Sequence, residues 1–339
     1  MLRTCGPGDA RLRVGFIGPG KHARRDLLPA LSLQPDVAVV AVAARGLDSA
    51  RQTAARIGAA EYTDEWRDVI DLAKVDAVVA TAVPSVHADV LRACITAGMP
   101  VFVDKPPASS LACMRELAAL EAAHRGVAFV GFNFAFSAAY RRFLDGVSHE
   151  DVPAHMKVHF VSSKPRTDLG RYGSITEAVL LEGGTHAVDL AVRALGPARA
   201  QKASRVRFRA GLEGIHLQVD HHAGGQSWIE LGNYAQSFEL AVEMVCHGGR
   251  RGILDQLGRQ RLWTSAEETS TSEVTEWSPR AGGFDRAGYA PALGEFLAAA
   301  RQRGVTTSPV SHGVRVYEVL DDALQQLDGR PLGCCRERP

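Results

Sequence analysis

At 339 residues the chain is too long for one small core, and an apolar content of 46% is ordinary for a globular protein of two domains. Its 39 basic and 38 acidic residues leave a formal charge of +1, so no global field draws it to nucleic acid or an anionic membrane. No apolar run approaches membrane-spanning length, and cysteines 5, 94, 113, 246, 334 and 335 show neither zinc-type nor CxxC spacing, which predicts a reduced, cytoplasmic protein without a metal.

Residues 1–10 lack the apolar core of a signal peptide and read as a disordered lead. The apolar run Val14–Ile17 then ends at Gly18-Pro19-Gly20, followed by Lys21, His22 and Ala23 at the start of a helical pattern. This is G-x-G-x-x-A where a strand hands over to a helix. Gly18 allows the tight turn, Gly20 lets backbone approach a pyrophosphate, and Ala23 keeps helix and strand in contact. The alternative is a glycine-rich turn in some other α/β protein. A helix is predicted over 22–33, bent or shortened by Pro29, then a strand covered on both faces at 37–43. Further helices are predicted at 48–57, with Asp48 as N-cap and Gly58 as stop, and at 65–72, 85–97 and 110–124. Strands are predicted at 77–81, 101–103 and 128–131. This alternation implies a doubly wound parallel sheet, and six strands would fit its dinucleotide-binding form. Where NAD-selective sites carry a carboxylate after the second strand, this chain has Ala44-Arg45-Gly46. An arginine there suits a 2′-phosphate, so NADP is the expected cofactor and NAD the alternative.

From His155 the pattern turns strand-like, with runs at 155–163, 205–209, 216–222, 227–231, 237–245 and 261–264 that alternate as a sheet with one buried face does. Residues 164–174 form a polar loop offering Lys164, Arg166, Arg171 and Tyr172. Residues 265–285 read as polar loop, and helices are predicted at 289–303 and 313–327. The resulting division is 11–132 for the dinucleotide-binding domain, 133–330 for a second α+β domain with an open mixed, mainly antiparallel sheet, and 331–339 as a tail.

Val83-Pro84-Ser85-Val86-His87, the block AGMPVFVDKP ending at Asp104-Lys105-Pro106, and LEGGTHAVDL over 181–190 together resemble the glucose–fructose oxidoreductase, inositol dehydrogenase and rhizopine-catabolism (Gfo/Idh/MocA) family. Its usual forms are P-N-x-x-H and E-K-P, so Ser85 and Asp104 are departures, as is Ala135 where an arginine often stands. The resemblance implies a Rossmann half followed by an open sheet of six to nine strands, with the late helices packing back on the first domain. It implies a substrate, a sugar or cyclitol, between that sheet and the nicotinamide, and dimers or tetramers formed through the sheet. Lys105 would polarise a carbonyl or stabilise an alkoxide, and His186 would transfer a proton. Glu182 would orient substrate or tune Lys105. The resemblance places Gly18, Gly20, Lys21, His22, Arg45, Pro84, His87, Asp104 and Lys105 at the cofactor, and Asn133, Tyr172 and Asp189 at the substrate or as braces. Glu182, His186 and Asp189 are spaced i, i+4, i+7, so on a regular helix they share one face. Gly183-Gly184 would let a nicotinamide or substrate come close. The function expected is hydride exchange between nicotinamide and a hydroxyl or carbonyl carbon. A redox-neutral NAD-using hydrolase or epimerase, an imine reductase and a cofactor-sensing regulator are the rival readings.

Overall fold

The computed structural model describes residues 11–71, 74–124, 126–149, 151–164, 172–263, 271–275 and 283–333. The chain divides into two compact units: one holds the described residues within Met1–Ala108, Ala112–Gly131 and Gly282–Gly313, the other those within Ser109–Leu111, Phe132–Ala281 and Val314–Pro339.

In the first unit β1 (Leu12–Ile17) leads through a π-helical turn, Ala23–Leu27, into α1 (Leu28–Ser32). Then come β2 (Val37–Ala43), α2 (Leu47–Ile57), β3 (Glu61–Thr63), α3 (Trp66–Asp71), β4 (Ala77–Ala80), α4 (Pro84–Thr96), β5 (Val101–Asp104), α5 (Leu111–His124) and β6 (Ala128–Gly131). The six strands are parallel in the order β3-β2-β1-β4-β5-β6, which reverses direction between β1 and β4. Ligands of such sheets bind outside the strands' carboxyl ends at that reversal. Every residue of β4, β5 and β6 is buried, the reason these strands read as unbroken apolar runs. Phe102 stacks on Phe129 at 5.4 Å, and both rings meet Phe296, which holds the later helix Tyr289–Gln302 against β5 and β6.

Sequence reading located five of these strands. β3 has only three residues and no buried ones, too little to show a period. The helix after β1 is not shortened at Pro29: it runs from Lys21 to Ser32. Proline has no N–H for the preceding turn, and the chain widens just before it, so the Leu28 N–H bonds to Ala23 in the i→i+5 pattern. Gly46, with φ of 103°, stands at the N-cap of α2, and Asp48 lies in the first turn paired with Arg51.

The second unit has α6 (Ala138–Ser148), β7 (Pro153–Val161), α7 (Ile175–Val179), a second π-helical turn (Leu180–Gly184), α8 (Thr185–Leu195) and strands β8 (Ala198–Arg207), β9 (Glu213–His221), β10 (Gln226–Gly232), β11 (Glu239–Cys246), β12 (Arg251–Asp255), β13 (Arg259–Trp263) and β14 (Thr271–Thr275). Their order is β14-β13-β12-β11-β7-β10-β9-β8, antiparallel throughout except for β7 beside β10. One face carries Met156, Val158 and Phe160 of β7 with Ile229, Leu231, Leu240 and Val242, all buried beneath helices. The other carries polar side chains such as the His159–Glu230 pair at 2.9 Å. Thr271–Thr275, read as loop, is a strand because β13 supplies its partner, and β12 was likewise not foreseen. After a short helix α9 (Gly283–Arg286), α10 (Tyr289–Gln302) counts with the first unit, whereas α11 (Val310–Asp328) counts with the second from Val314 onward.

Candidate active site

In the first unit the glycine turn lies across the ends of three strands. The Gly18 N–H donates to the Ala43 carbonyl at 2.8 Å, and φ of +78° puts the residue in left-handed space. A Cβ there would sit 2.1 Å from the Thr81 carbonyl oxygen. At Gly20 a Cβ would meet nothing nearer than 3.9 Å, so open space lies before this backbone. Ala23 is fully buried at the helix–sheet contact, and Lys21 is exposed. A tight turn, an uncovered glycine and the first N–H groups of a helix fit a dinucleotide's pyrophosphate. Arg45 is exposed just past β2.

Lys105 follows β5 and is pinned from both sides. Asp104 Oδ1 accepts the Lys105 backbone N–H at 2.9 Å, and the Lys105-Pro106 peptide is cis. Beyond it the Pro106 carbonyl lies 2.8 Å from His87 Nδ1, while His87 Nε2 accepts the Ala82 N–H at 2.6 Å. That pattern assigns the His87 proton to Nδ1. Burial, the larger influence, pushes its pKa down and keeps the ring neutral. His87, expected at the cofactor, thus has both ring nitrogens engaged by backbone and ties the end of β4 to the Lys-Pro segment. Pro84 opens α4 at its first turn. His22 Nδ1 lies 2.9 Å from Asp26 Oδ2, and its Nε2 lies 3.1 Å from Asp104 Oδ2.

In the second unit the helix bearing Glu182 and His186 is not regular. The Thr185 N–H bonds to Leu180, closing the π-helical turn between the two residues, and π-turns recur at functional sites. Glu182 accepts the Tyr172 hydroxyl, so two predicted site residues meet. His186 is 5% exposed and stacks on Phe134, with centroids 4.2 Å apart, while Phe160 lies beside the pair, 5.7 Å from His186 and 6.1 Å from Phe134. Phe238 stands edge-on to Phe160 at 5.2 Å. Asn133 is buried in the short 3-10 turn that carries Phe134. Asp189 is 1% exposed and accepts from Arg193 Nε at 2.9 Å, a brace within α8. Gly183 and Gly184 have a different reason from the one expected: added Cβ atoms would lie 2.9 Å from the Phe160 ring and 2.8 Å from Leu320, so they admit core side chains. Lys164 is exposed, and Arg166 and Arg171 lie outside the described residues. Among the described residues no His, Cys, Asp and Glu side chains group as a metal site, and no helix is long and apolar enough to cross a membrane.

Residues 12–132 match the model of an oxidoreductase family with an NAD-binding Rossmann fold. An inositol 2-dehydrogenase of Acidiphilium cryptum is 24% identical over 338 residues, covering 94% of this chain and 95% of that protein. Over residues 12–132 the chain thus carries the Rossmann domain of the Gfo/Idh/MocA family. It is accordingly an enzyme, a nicotinamide-dependent dehydrogenase or reductase. A dTDP-3,4-didehydro-2,6-dideoxy-alpha-D-glucose 3-reductase of Streptomyces antibioticus is 28% identical over 191 residues, covering 55% of this chain and 58% of that one. A crystal structure of a dehydrogenase from Chromobacterium violaceum has the same fold, with a TM-score of 0.86 at 23% identity over 93% of this chain and 95% of that one.

In this oxidoreductase, sequence reading missed Asp26 and Tyr289 around His22, and Phe134, Phe160 and Phe238 around His186. None stands in a motif; only the NFAF run beside Asn133 hinted at an aromatic wall. The bracing role of His87 has a direct test. His87→Leu leaves the Ala82 N–H and the Pro106 carbonyl buried without this partner, at about 1–3 kcal/mol each. A lowered unfolding midpoint with cofactor affinity largely kept is the expected result, read by calorimetry and fluorescence titration.

Proposed function

We propose that this enzyme oxidises a secondary hydroxyl of a sugar or cyclitol, or reduces the corresponding ketone, with Lys105 and His186 moving the proton. The observation carrying this reading is Lys105 itself, held at the carboxyl end of β5 by Asp104 on one side and the His87–Pro106 contact on the other. The chain has only six lysines against 33 arginines, so an ammonium at this point is not background composition. Bound nicotinamide would supply or accept the hydride. The Lys105 ammonium would hydrogen-bond the substrate oxygen and stabilise alkoxide character there. The His186 imidazole, its plane fixed by stacking on Phe134, would take or return the hydroxyl proton. Glu182 and Tyr172, already bonded to each other, would orient neighbouring substrate hydroxyls. The sugar or cyclitol class draws on the named activities of the Acidiphilium and Streptomyces relatives.

Gly18, Gly20 and the helix start from Lys21 would hold the pyrophosphate, and Arg45 the adenosine ribose. A charge-assisted bond from Arg45 to a 2′-phosphate contributes about 1.5–3 kcal/mol, so NADP is the proposed cofactor. Arg45→Ala should then raise the KM for NADPH about ten- to a hundredfold and that for NADH far less; equal effects reject the phosphate role. A panel of sugars and cyclitols, myo-inositol included, assayed with both cofactors tests the whole reading. Turnover with no net change in nicotinamide absorbance would replace it with the redox-neutral one.

A further inference from the structure

We propose that His22 is a positioning residue for the reaction: an imidazolium held between two buried carboxylates, it ties the strand end that presents Lys105 to the helix that follows the glycine turn. The proposal rests on Lys105 being the proton-handling ammonium. Nothing in the sequence pairs His22 with Asp104, yet His22 Nε2 lies 3.1 Å from Asp104 Oδ2 and Nδ1 lies 2.9 Å from Asp26 Oδ2. Asp104 and Asp26 are 4% and 5% exposed. A neutral imidazole has one donor and one lone pair, and would turn that lone pair on one of the carboxylates; only the doubly protonated ring serves both.

The surrounding charges agree. Arg25 donates to Asp26 through Nε at 2.9 Å and Nη2 at 2.7 Å, and the same Nη2 lies 3.4 Å from His22 Nδ1. From α10 the Tyr289 hydroxyl, uncharged at neutral pH, lies 2.9 Å from Nε2. Two cations therefore balance two carboxylates, whereas a neutral ring would leave an uncompensated buried charge. Burial opposes the ring's charge, but the hydrogen bonds to Asp104 and Asp26 outweigh it and hold the pKa up at about 9. Asp104 has both oxygens engaged, Oδ2 by His22 and Oδ1 by the Lys105 N–H. The carboxylate is thus a fixed strut, and the lysine's backbone hangs from it. Because the pKa in the folded chain stands above the ordinary value of 6.5, the tie is complete below that pH and is lost as pH rises through about 9.

Nitrogen NMR of the histidine-labelled enzyme, with no substrate, reads the ring directly. His22 should titrate near 9, and Asp104→Asn should lower that value by about one unit or more. In turnover, His22→Gln should lose about tenfold or more in kcat and lose the alkaline limb of the pH profile. His22→Arg offers a fork to both carboxylates without titrating, and should recover kcat to within about threefold with that limb still absent. A ring titrating below pH 7, a Gln variant with full kcat, or an Arg variant as slow as the Gln one overturns the proposal. Should the Gln variant not fold, the wild-type titration and its response to Asp104→Asn decide. The titration needs no substrate, so its failure defeats this proposal alone, whereas near-full activity in Lys105→Met defeats the reading beneath it.

Discussion

Lys105→Met is expected to lower kcat by about 10²–10⁴-fold, the range that a positioned proton-transfer group contributes. Methionine keeps the length and apolar stem of the side chain and removes only the ammonium. The Asp104 carboxylate still accepts the backbone N–H of residue 105, and His87 still holds the Pro106 carbonyl, so the strand end keeps its shape. Cofactor affinity should therefore stay within about threefold of wild type, which places the loss in the chemical step. His186→Ala is expected to lose a similar factor. Because it also empties the space beside Phe134 and Phe160, His186→Asn serves as the better-packed companion. The double variant should be little slower than either single one, since two groups that move one proton act as a unit. Steady-state rates with the panel substrate, beside fluorescence titration of the cofactor, make the measurement. Either single variant retaining activity within about tenfold of wild type would remove the residue from the proposed chemistry.

The two glycines of the first turn should fail in different ways. Gly18→Ala forces a Cβ to within 2.1 Å of the Thr81 carbonyl oxygen and holds an L-residue at φ +78°. The left-handed conformation alone costs about 1–2 kcal/mol, and the overlap is with backbone that cannot swing away. A loss of about 3 kcal/mol or more, with cofactor binding abolished, is the expected result from denaturant unfolding and titration. Gly20→Ala adds a methyl to open space, its nearest neighbour 3.9 Å off, so the unfolding midpoint should not move. The same methyl stands where backbone must approach the pyrophosphate, and the cofactor Kd should rise about tenfold or more. A Gly20→Ala enzyme that binds cofactor normally would show that the phosphates do not approach this residue.

The local elements of both units were readable because each is written in a short window. Val37–Ala43 is apolar throughout since both faces are covered, and β7, β9 and β10 alternate since one face is. The glycine turn, the Lys-Pro segment and the His186 helix were likewise visible as motifs at their own positions. What escaped was whatever a distant partner supplies. β3, β12 and β14 are short strands whose pairing comes from a neighbour. Gly183 and Gly184 make room for Phe160 and Leu320, far along the chain, instead of for a ligand. The regular spacing expected of Glu182, His186 and Asp189 is broken by a π-turn that no short pattern announces. His87 has the look of a cofactor contact until the carbonyl of Pro106 and the N–H of Ala82 are found at its two nitrogens. His22 likewise stands in a motif with no sign of Asp104 or Tyr289. Periodicity and turn chemistry are encoded within a few residues, so the string of letters carries them. Which carboxylate faces which imidazole depends on where strands cross, and only the folded chain brings those groups together.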